Sequence, residues 1–264
     1  MATLYKKVVW ITGASGGIGE ALAKECALAG AFVVLSARRE KELQRVRSQL
    51  QCPEKHLCLP LDITDTEAGV QALKHIIEKY GHLDWLINNA GLSQRALIRD
   101  TTIETDRKLF EVDFFAQIQL TRTALESLIA QQGKVVFISS VAGLVGTQYR
   151  GTYSAAKAAL HLWANSLRAE LANEGLSVAT VFPGFVKTDV SINALTGDGK
   201  ALGQMDNAQA NAMSAEDFAQ QTLSALLRDK QYVVVGGFKE KLAAMVSRIS
   251  PEILYRMIRK SKVR

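Results

Sequence analysis

The repeated switch of hydrophobic period along this chain constrains its fold more than any single motif. Seven short apolar runs rich in β-branched residues recur: Val8–Ile11, Phe32–Ser36, Leu57–Pro60, Trp85–Asn88, Val135–Ser139, Val178–Phe182 and Tyr232–Val235. Between them lie amphipathic stretches near Gly17–Ala29, Lys41–Leu50, Glu67–Tyr80, Glu104–Ala130, Tyr153–Asn173 and Ala215–Leu227. A continuously apolar strand has no face for water, so it needs cover on both sides, and the intervening helices supply it. The alternation predicts an α/β fold: a doubly wound, seven-stranded parallel sheet with helices on both faces. In such folds ligands bind at the carboxyl ends of the strands. The length, 264 residues, suits one large domain, and no repeat or Pro/Gly/Ser-rich linker divides it.

Two regions interrupt the alternation. Residues 185–213, with Gly197, Gly199 and Gly203, are too many for a simple strand-to-helix connection and read as a substrate lid. Past the last strand, Phe238–Ile249 and Pro251–Lys260 form two further amphipathic helices. Leu242, Met245, Val246 and Ile249 mark one face of the first; Ile253, Leu254, Met257 and Ile258 mark the second.

Charge is unevenly placed. The formal net charge of +6 resides in the tail, where eight Lys/Arg face two Glu from Phe238 onward; the remainder is balanced. That distribution argues against nucleic acid as a partner of the whole chain. The basic tail has two readings, a packed helix with a solvated face or a peripheral contact with anionic membrane. Three cysteines, Cys26, Cys52 and Cys58, give neither a disulfide framework nor paired metal-ligand spacing, which fits a reducing, cytoplasmic setting and no metal. Met1 to Lys7 is too short and polar for a signal peptide, and no apolar stretch reaches membrane-spanning length.

The chemistry begins at the first strand's end, in Thr12-Gly13-Ala14-Ser15-Gly16-Gly17-Ile18-Gly19. Glycines at 13, 17 and 19 allow a tight turn and close backbone approach to a pyrophosphate, with a helix N-terminus facing the anion. The second strand ends Leu35-Ser36-Ala37-Arg38-Arg39. A site for NAD wants a carboxylate there for the ribose hydroxyls. Ala37 takes that place, and guanidinium suits a 2′-phosphate, so NADP(H) is favoured over NAD(H). Tyr153 and Lys157 then stand at i and i+4, on one helix face, with Ser140 thirteen residues ahead of Tyr153. A phenol with a reference pKa of about 10 is an indifferent catalyst at neutral pH, and a nearby ammonium favours its phenolate.

Together these motifs resemble the short-chain dehydrogenase/reductase superfamily over essentially the whole chain. The likeness extends to Asp62 after the third strand, Asn88-Asn89-Ala90-Gly91 after the fourth, and Pro183-Gly184 with Thr188 after the sixth. Within it, the long loop and appended helices look most like the 11β-hydroxysteroid-dehydrogenase-like branch and its dehydrogenase/reductase member 7B-type group. A Rossmann-like fold and the following roles are what the resemblance implies. Gly13, Ser15, Gly17, Ile18 and Gly19 would cradle the cofactor phosphates, and Arg38 and Arg39 the 2′-phosphate. Asp62 and Ile63 would border the adenine. Asn89, Ala90 and Gly91 would support cofactor and sheet, and Pro183, Gly184, Val186 and Thr188 would hold the nicotinamide end. Ser140, Tyr153 and Lys157 would form the catalytic group, with Tyr153 and Lys157 also touching the cofactor.

One position departs from the family. An Asn usually sits in the long fourth helix and holds a water that extends the proton relay from the Lys; here the match is Asp113. Asp113 either does the same with the water reoriented or marks a retuned relay. The substrate pocket is expected at Leu92, Ser93, Gln94, Leu144, Val145, Gln148, Tyr149 and Phe185, closed by the lid around Ile192–Leu195. Its apolar cast suggests a lipophilic ketone or aldehyde. Phe114, Phe115 and Trp163 lie on helices that this family uses for homodimer or homotetramer contacts. The expected activity is NADP(H)-dependent carbonyl reduction, or the reverse alcohol oxidation. A cofactor-binding sensor without turnover and a ketoacyl reductase are the alternatives, the tail arguing against the latter.

Overall fold

The computed structural model describes residues 3–204 and 212–260; residues 205–211 of the expected lid and 261–264 of the basic tail lie outside the described residues. Seven parallel strands run β1 Val8–Thr12, β2 Phe32–Ala37, β3 Leu57–Pro60, β4 Trp85–Asn88, β5 Lys134–Ile138, β6 Ser177–Pro183 and β7 Tyr232–Val235. Their spatial order is β3-β2-β1-β4-β5-β6-β7. The chain builds outward from β1 to β3 on one side, then crosses back to place β4 against β1. A crevice opens at that reversal, above the carboxyl ends of β1 and β4.

Successive residues of a strand face opposite ways, so each strand feeds two cores. Val9 and Ile11 join one cluster with Leu22 and Cys26 of α1 (Gly17–Leu28) and Phe218 and Leu223 of α7 (Ala215–Leu227). Val8 and Trp10 join the other, with Ile76 of α3 (Thr66–Tyr80), Leu128 of α5 (Ala116–Ala130) and Leu160 of α6 (Gly151–Glu170). Between β2 and β3 lies α2 (Glu40–Ser48). Trp10 and Trp85 are core residues, as their sequence setting predicts.

Element boundaries fall within a few residues of the hydrophobic pattern, and two differences have physical causes. Strand β5 opens at Lys134, which an apolar criterion passes over; its ammonium donates to Leu226 O and Asp229 Oδ1, both at 2.8 Å, so the charge is paired at the sheet's end. The expected long helix over Glu104–Ala130 is interrupted. It runs as α4 (Ile103–Phe110), widens into a π turn at Glu111–Phe115, and resumes as α5. One π turn carries an extra residue, which re-aims the side chains on it; such turns gather at functional sites. Here the turn sends Asp113 fully inside while Glu111 and Phe115 stay exposed.

After β7 come α8 (Phe238–Ile249) and α9 (Pro251–Lys260). Among the described side chains of these helices, Ala244 and Leu254 are the buried ones. Met245 and Ile249 of the expected packing face are exposed instead, together with Phe238 and Ile253.

Candidate active site

A cavity of about 860 Å³ fills the crevice at the strands' carboxyl ends. At its floor the glycine turn is wired to the end of β4. Thr12 Oγ1 accepts from the backbone N–H of Asn89 and of Ala90, each at 3.0 Å. Asn89 Nδ2 donates to Thr12 O at 2.9 Å and Gly13 O at 3.2 Å. A Cβ on Gly19 would lie 2.3 Å from Gly13 O, so no side chain fits there. Gly13 and Gly17 adopt φ of +65° and +55°, a region that glycine enters without steric cost. Helix α1 starts without a side-chain cap, and Gly16, Gly17 and Ile18 at its N-terminus line the cavity.

Next along the wall are Ser15, Arg38, Arg39, Asp62 and Ile63. Arg39 Nη2 donates to Ser15 Oγ at 3.0 Å, which draws the guanidinium against the glycine turn. Burial pushes the Asp62 carboxyl up, but bonds from the Thr64 N–H and hydroxyl and the Arg38 charge outweigh it and hold the group below its ordinary value. Ala90, Gly91, Pro183, Gly184, Val186 and Thr188 complete this end. The Thr188 side chain sits about 3.1 Å from where a Cβ on Gly17 would be.

Toward the middle stand Ser140, Tyr153 and Lys157. Ser140 follows β5, and its Oγ accepts from the Ala142 N–H at 3.1 Å. Ser139 lines the cavity too, but its hydroxyl is spent on Lys157 O at 3.0 Å, which braces α6 against β5. Lys157 Nζ lies 5.9 Å from the centre of the Tyr153 ring and donates to Ile138 O at 3.2 Å.

Asp113 meets Lys157 directly. Its Oδ1 is 3.1 Å from Lys157 Nζ and accepts the Leu92 N–H at 3.1 Å, and both side chains of the ion pair are buried. Burial pushes the Asp113 carboxyl above the usual carboxylate range, against the pull of the ammonium. A Cβ on Gly91 would fall 2.5 Å from this oxygen, so glycine there is what lets the carboxylate reach the lysine. The water-holding role expected for residue 113 did not foresee this contact.

The substrate end differs from its sequence reading. Leu92, Ser93 and Phe185 line the cavity, as do Asn193 and Leu195 of the lid. Gln94, Leu144, Val145, Gln148 and Tyr149 are not on its wall. Gln94 is fully buried and spends its carbonyl on the backbone of α6. Val145 is buried behind a 3-10 turn, Val141–Gly143, that packs close on α6. Tyr149 has a φ of +64°, and its backbone O accepts from Ala96. Nor is the wall wholly apolar: Arg95, Lys108, Glu111, Arg150 and Asp189 also line it. No motif spacing marks these five, which reach the site only through the fold. Arg150, beside α6, sets its guanidinium 5.0 Å from the Phe185 ring centre.

The comparisons with known proteins agree with this geometry. A model of the short chain dehydrogenase family matches residues 7–198. A dehydrogenase/reductase SDR family protein 7-like of Anopheles gambiae is 38% identical over 97% of this chain and 83% of its own length. Dehydrogenase/reductase SDR family member 7B of Xenopus laevis is 36% identical, over 96% and 81%. Among solved structures, a short-chain dehydrogenase from Streptomyces avermitilis superposes with a TM-score of 0.80 at 28% identity, covering 96% of this chain and 98% of its own. One from Burkholderia cenocepacia in complex with NADP and one from Burkholderia phymatum in complex with NAD share the fold, with TM-scores of 0.81 and 0.83 at 23% and 20% identity. They cover 98% and 99% of this chain and 100% and 99% of their own. A family match over most of the length, a seven-stranded parallel sheet and relatives above 30% identity lead to one assignment: the chain is an oxidoreductase of the short-chain dehydrogenase/reductase superfamily, in its dehydrogenase/reductase member 7-type branch.

Proposed function

We propose that the protein is an NADP(H)-dependent oxidoreductase that reduces a carbonyl on a lipophilic small molecule, or oxidises the matching secondary alcohol. The observation that carries this reading is one cavity holding both Ser140, Tyr153 and Lys157 and the glycine turn flanked by Arg38 and Arg39. The residues fit a dinucleotide: the cradle at Gly13, Gly17 and Gly19 is closed to any side chain, and uncapped helix N–H groups face it. Ala37 offers no carboxylate to ribose hydroxyls, and Arg38 and Arg39 line the cavity beside it, with guanidinium groups suited to bidentate recognition of a 2′-phosphate, which supports NADP(H). Since structural neighbours were solved with either dinucleotide, the preference rests on these two arginines and not on the fold.

When bound, the nicotinamide supplies the hydride. Tyr153 donates its hydroxyl proton to the developing alkoxide, and Ser140 donates a second hydrogen bond to the same oxygen. Lys157 steadies the charge left on Tyr153 and holds the nicotinamide ribose. Asp113 keeps the Lys157 ammonium on the cavity wall. Leu92, Phe185 and Leu195 give the substrate end its apolar surface, and this supports a lipophilic carbonyl compound.

The Asp113–Lys157 pair also favours a second reading, in which the ammonium is tied up and the protein binds NADPH as a sensor without turnover. Purified protein supplied with NADPH or NADH and a panel of lipophilic ketones, aldehydes and quinones separates the two. Oxidation of NADPH well above that of NADH supports the reductase; NADPH binding with no turnover across the panel supports the sensor.

Cytoplasmic placement with peripheral membrane contact completes the proposal. Among the described residues no helix is long and apolar enough to cross a membrane. Phe238, Met245, Ile249 and Ile253 are exposed beside Lys239, Lys241 and Arg256, a combination suited to an anionic bilayer surface. Co-sedimentation with phosphatidylserine vesicles should weaken when residues after Ser250, which carry Ile253 and Arg256, are deleted, and disappear when Lys239 and Lys241 are also changed to Glu; undiminished binding in the second variant removes this part. Exposed Phe115 and Leu162 support self-association into a homodimer or homotetramer, which light scattering would read as a multiple of 28.8 kDa.

A further inference from the structure

The start of α6 lacks the local device that helix starts ordinarily use. Its N-cap residue, Arg150, makes no side-chain cap bond, although the first turn carries Tyr153. Unmet N–H groups at a helix start need partners when water is excluded. Gln94 provides them from 58 and 59 residues away in sequence: its Oε1 accepts from the Thr152 N–H at 3.0 Å and the Tyr153 N–H at 3.2 Å. The assignment of the amide is fixed by its surroundings, because Nε2 on the other side donates to Thr101 Oγ1 at 3.2 Å. Gln94 is fully buried, so these bonds have no competitor in solvent. A second tie reaches the same turn from α4, where the Asp106 carboxylate accepts the Thr152 hydroxyl.

The backbone around Gln94 is bound in turn to the substrate loop. Gln94 pairs with Leu195 in a parallel bridge, Arg95 N donates to Leu195 O at 2.8 Å, and Leu195 N donates to Ser93 O at 2.8 Å. Two residues on, Gly197 O accepts from the Thr102 N–H at 2.9 Å and the Thr105 hydroxyl at 3.1 Å. One short segment, 93–105, thus touches the loop on one side and the helix turn bearing Tyr153 on the other.

From this we infer that Gln94 is a positioning residue, which fixes Tyr153 by capping α6 and ties that position to the seating of the substrate loop at Leu195. The inference rests on the proposed role of Tyr153 only for its effect on turnover; the capping itself stands apart from it.

Two substitutions separate shape from hydrogen bonding. Gln94→Met keeps the volume and removes the acceptor; Gln94→Glu keeps an acceptor oxygen, with Thr101 turning its hydroxyl from Leu97 O, which it reaches at 2.8 Å, to the new carboxylate. Amide hydrogen exchange should speed up roughly tenfold at Thr152 and Tyr153 in Gln94→Met, as for loss of a helix cap, and return toward wild type in Gln94→Glu. On any carbonyl substrate that the wild type reduces, Gln94→Met should lower kcat about tenfold with NADPH affinity held within about twofold, and Gln94→Glu should recover most of kcat. Unchanged exchange at both amides in folded Gln94→Met overturns the capping. Normal kcat in Gln94→Met, or a Gln94→Glu variant as slow as Gln94→Met, overturns the positioning role. If the panel yields no substrate, the proposed activity fails while the exchange experiment still decides the role of Gln94.

Discussion

The two ends of the cavity are built from different materials. At the cofactor end, the contacts close on backbone: Gly19 against Gly13 O, Ala90 against the turn after β1, and the Asn89 side-chain amide bonded to the carbonyls of Thr12 and Gly13. At the substrate end, side chains on loops do the work: Phe185 under Arg150, Leu92 and Ser93 beside the lid at Leu195, Gln94 behind the wall. Backbone contacts leave no room for variation, since a single Cβ would collide. Side-chain contacts on loops can be exchanged without disturbing the sheet. A family can therefore keep one cofactor and change its substrate, and the molecule shows where that division runs.

That contrast is broken or sharpened most strongly by paired glycine substitutions. Gly19→Ala places its Cβ 2.3 Å from Gly13 O and should cost about 1–3 kcal/mol of stability by overpacking, with cofactor affinity falling too. Gly146→Ala, on the loop between the Val141–Gly143 turn and α6 and off the cavity wall, meets nothing within 4 Å and should stay within about 0.5 kcal/mol of wild type. Thermal unfolding with and without NADPH compares them directly, and equal effects would erase the distinction.

An effect of similar size concerns recognition at the cofactor end alone. Arg38→Ala and Arg39→Ala should each weaken NADPH about ten- to a hundredfold, as loss of one charged hydrogen bond of roughly 1.5–3 kcal/mol implies, while NADH binding is little changed. Fluorescence titration reads both constants, and parallel losses for the two cofactors would remove these arginines from phosphate selection.

The smallest effect lies in the frame under that end. His56 Nδ1 accepts from the Val33 N–H at 3.0 Å, its Nε2 faces Gln51 O at 2.8 Å, and burial holds the imidazole below its ordinary value. The unfolded chain therefore takes the proton first. Stability is full above the unfolded value of about 6.5 and declines as pH falls from there to the lowered folded value, where the loss levels off. His56→Asn keeps an acceptor for Val33 and should flatten part of that decline in denaturant unfolding between pH 7 and 5. His161, also lowered by burial and packed against Phe182, supplies part of what remains.

What could be read from sequence follows the same line. The strands, the glycine turn and the Tyr153–Lys157 pair are local patterns, set by side-chain period or by spacing within one helical turn, so they show in one dimension. Gln94 is invisible in this way: its partners are 58 and 59 residues distant, and a polar residue after a strand looks like a substrate contact until the fold turns it toward α6. Asp113 was legible as a position and not as an ion pair, because the π turn that buries it has no sequence period of its own. Lys134 entered a strand because its charge is met by Asp229, a partner that only the fold brings near.

The measurement that tests the account most directly is NADPH oxidation across the carbonyl panel by wild-type protein and Tyr153→Phe side by side. Loss of the phenol's acid role should lower turnover by about 10²–10⁴-fold with NADPH affinity unchanged. A Tyr153→Phe protein that keeps most of the wild-type turnover would contradict the assignment of this cavity as a reductase site built on Tyr153.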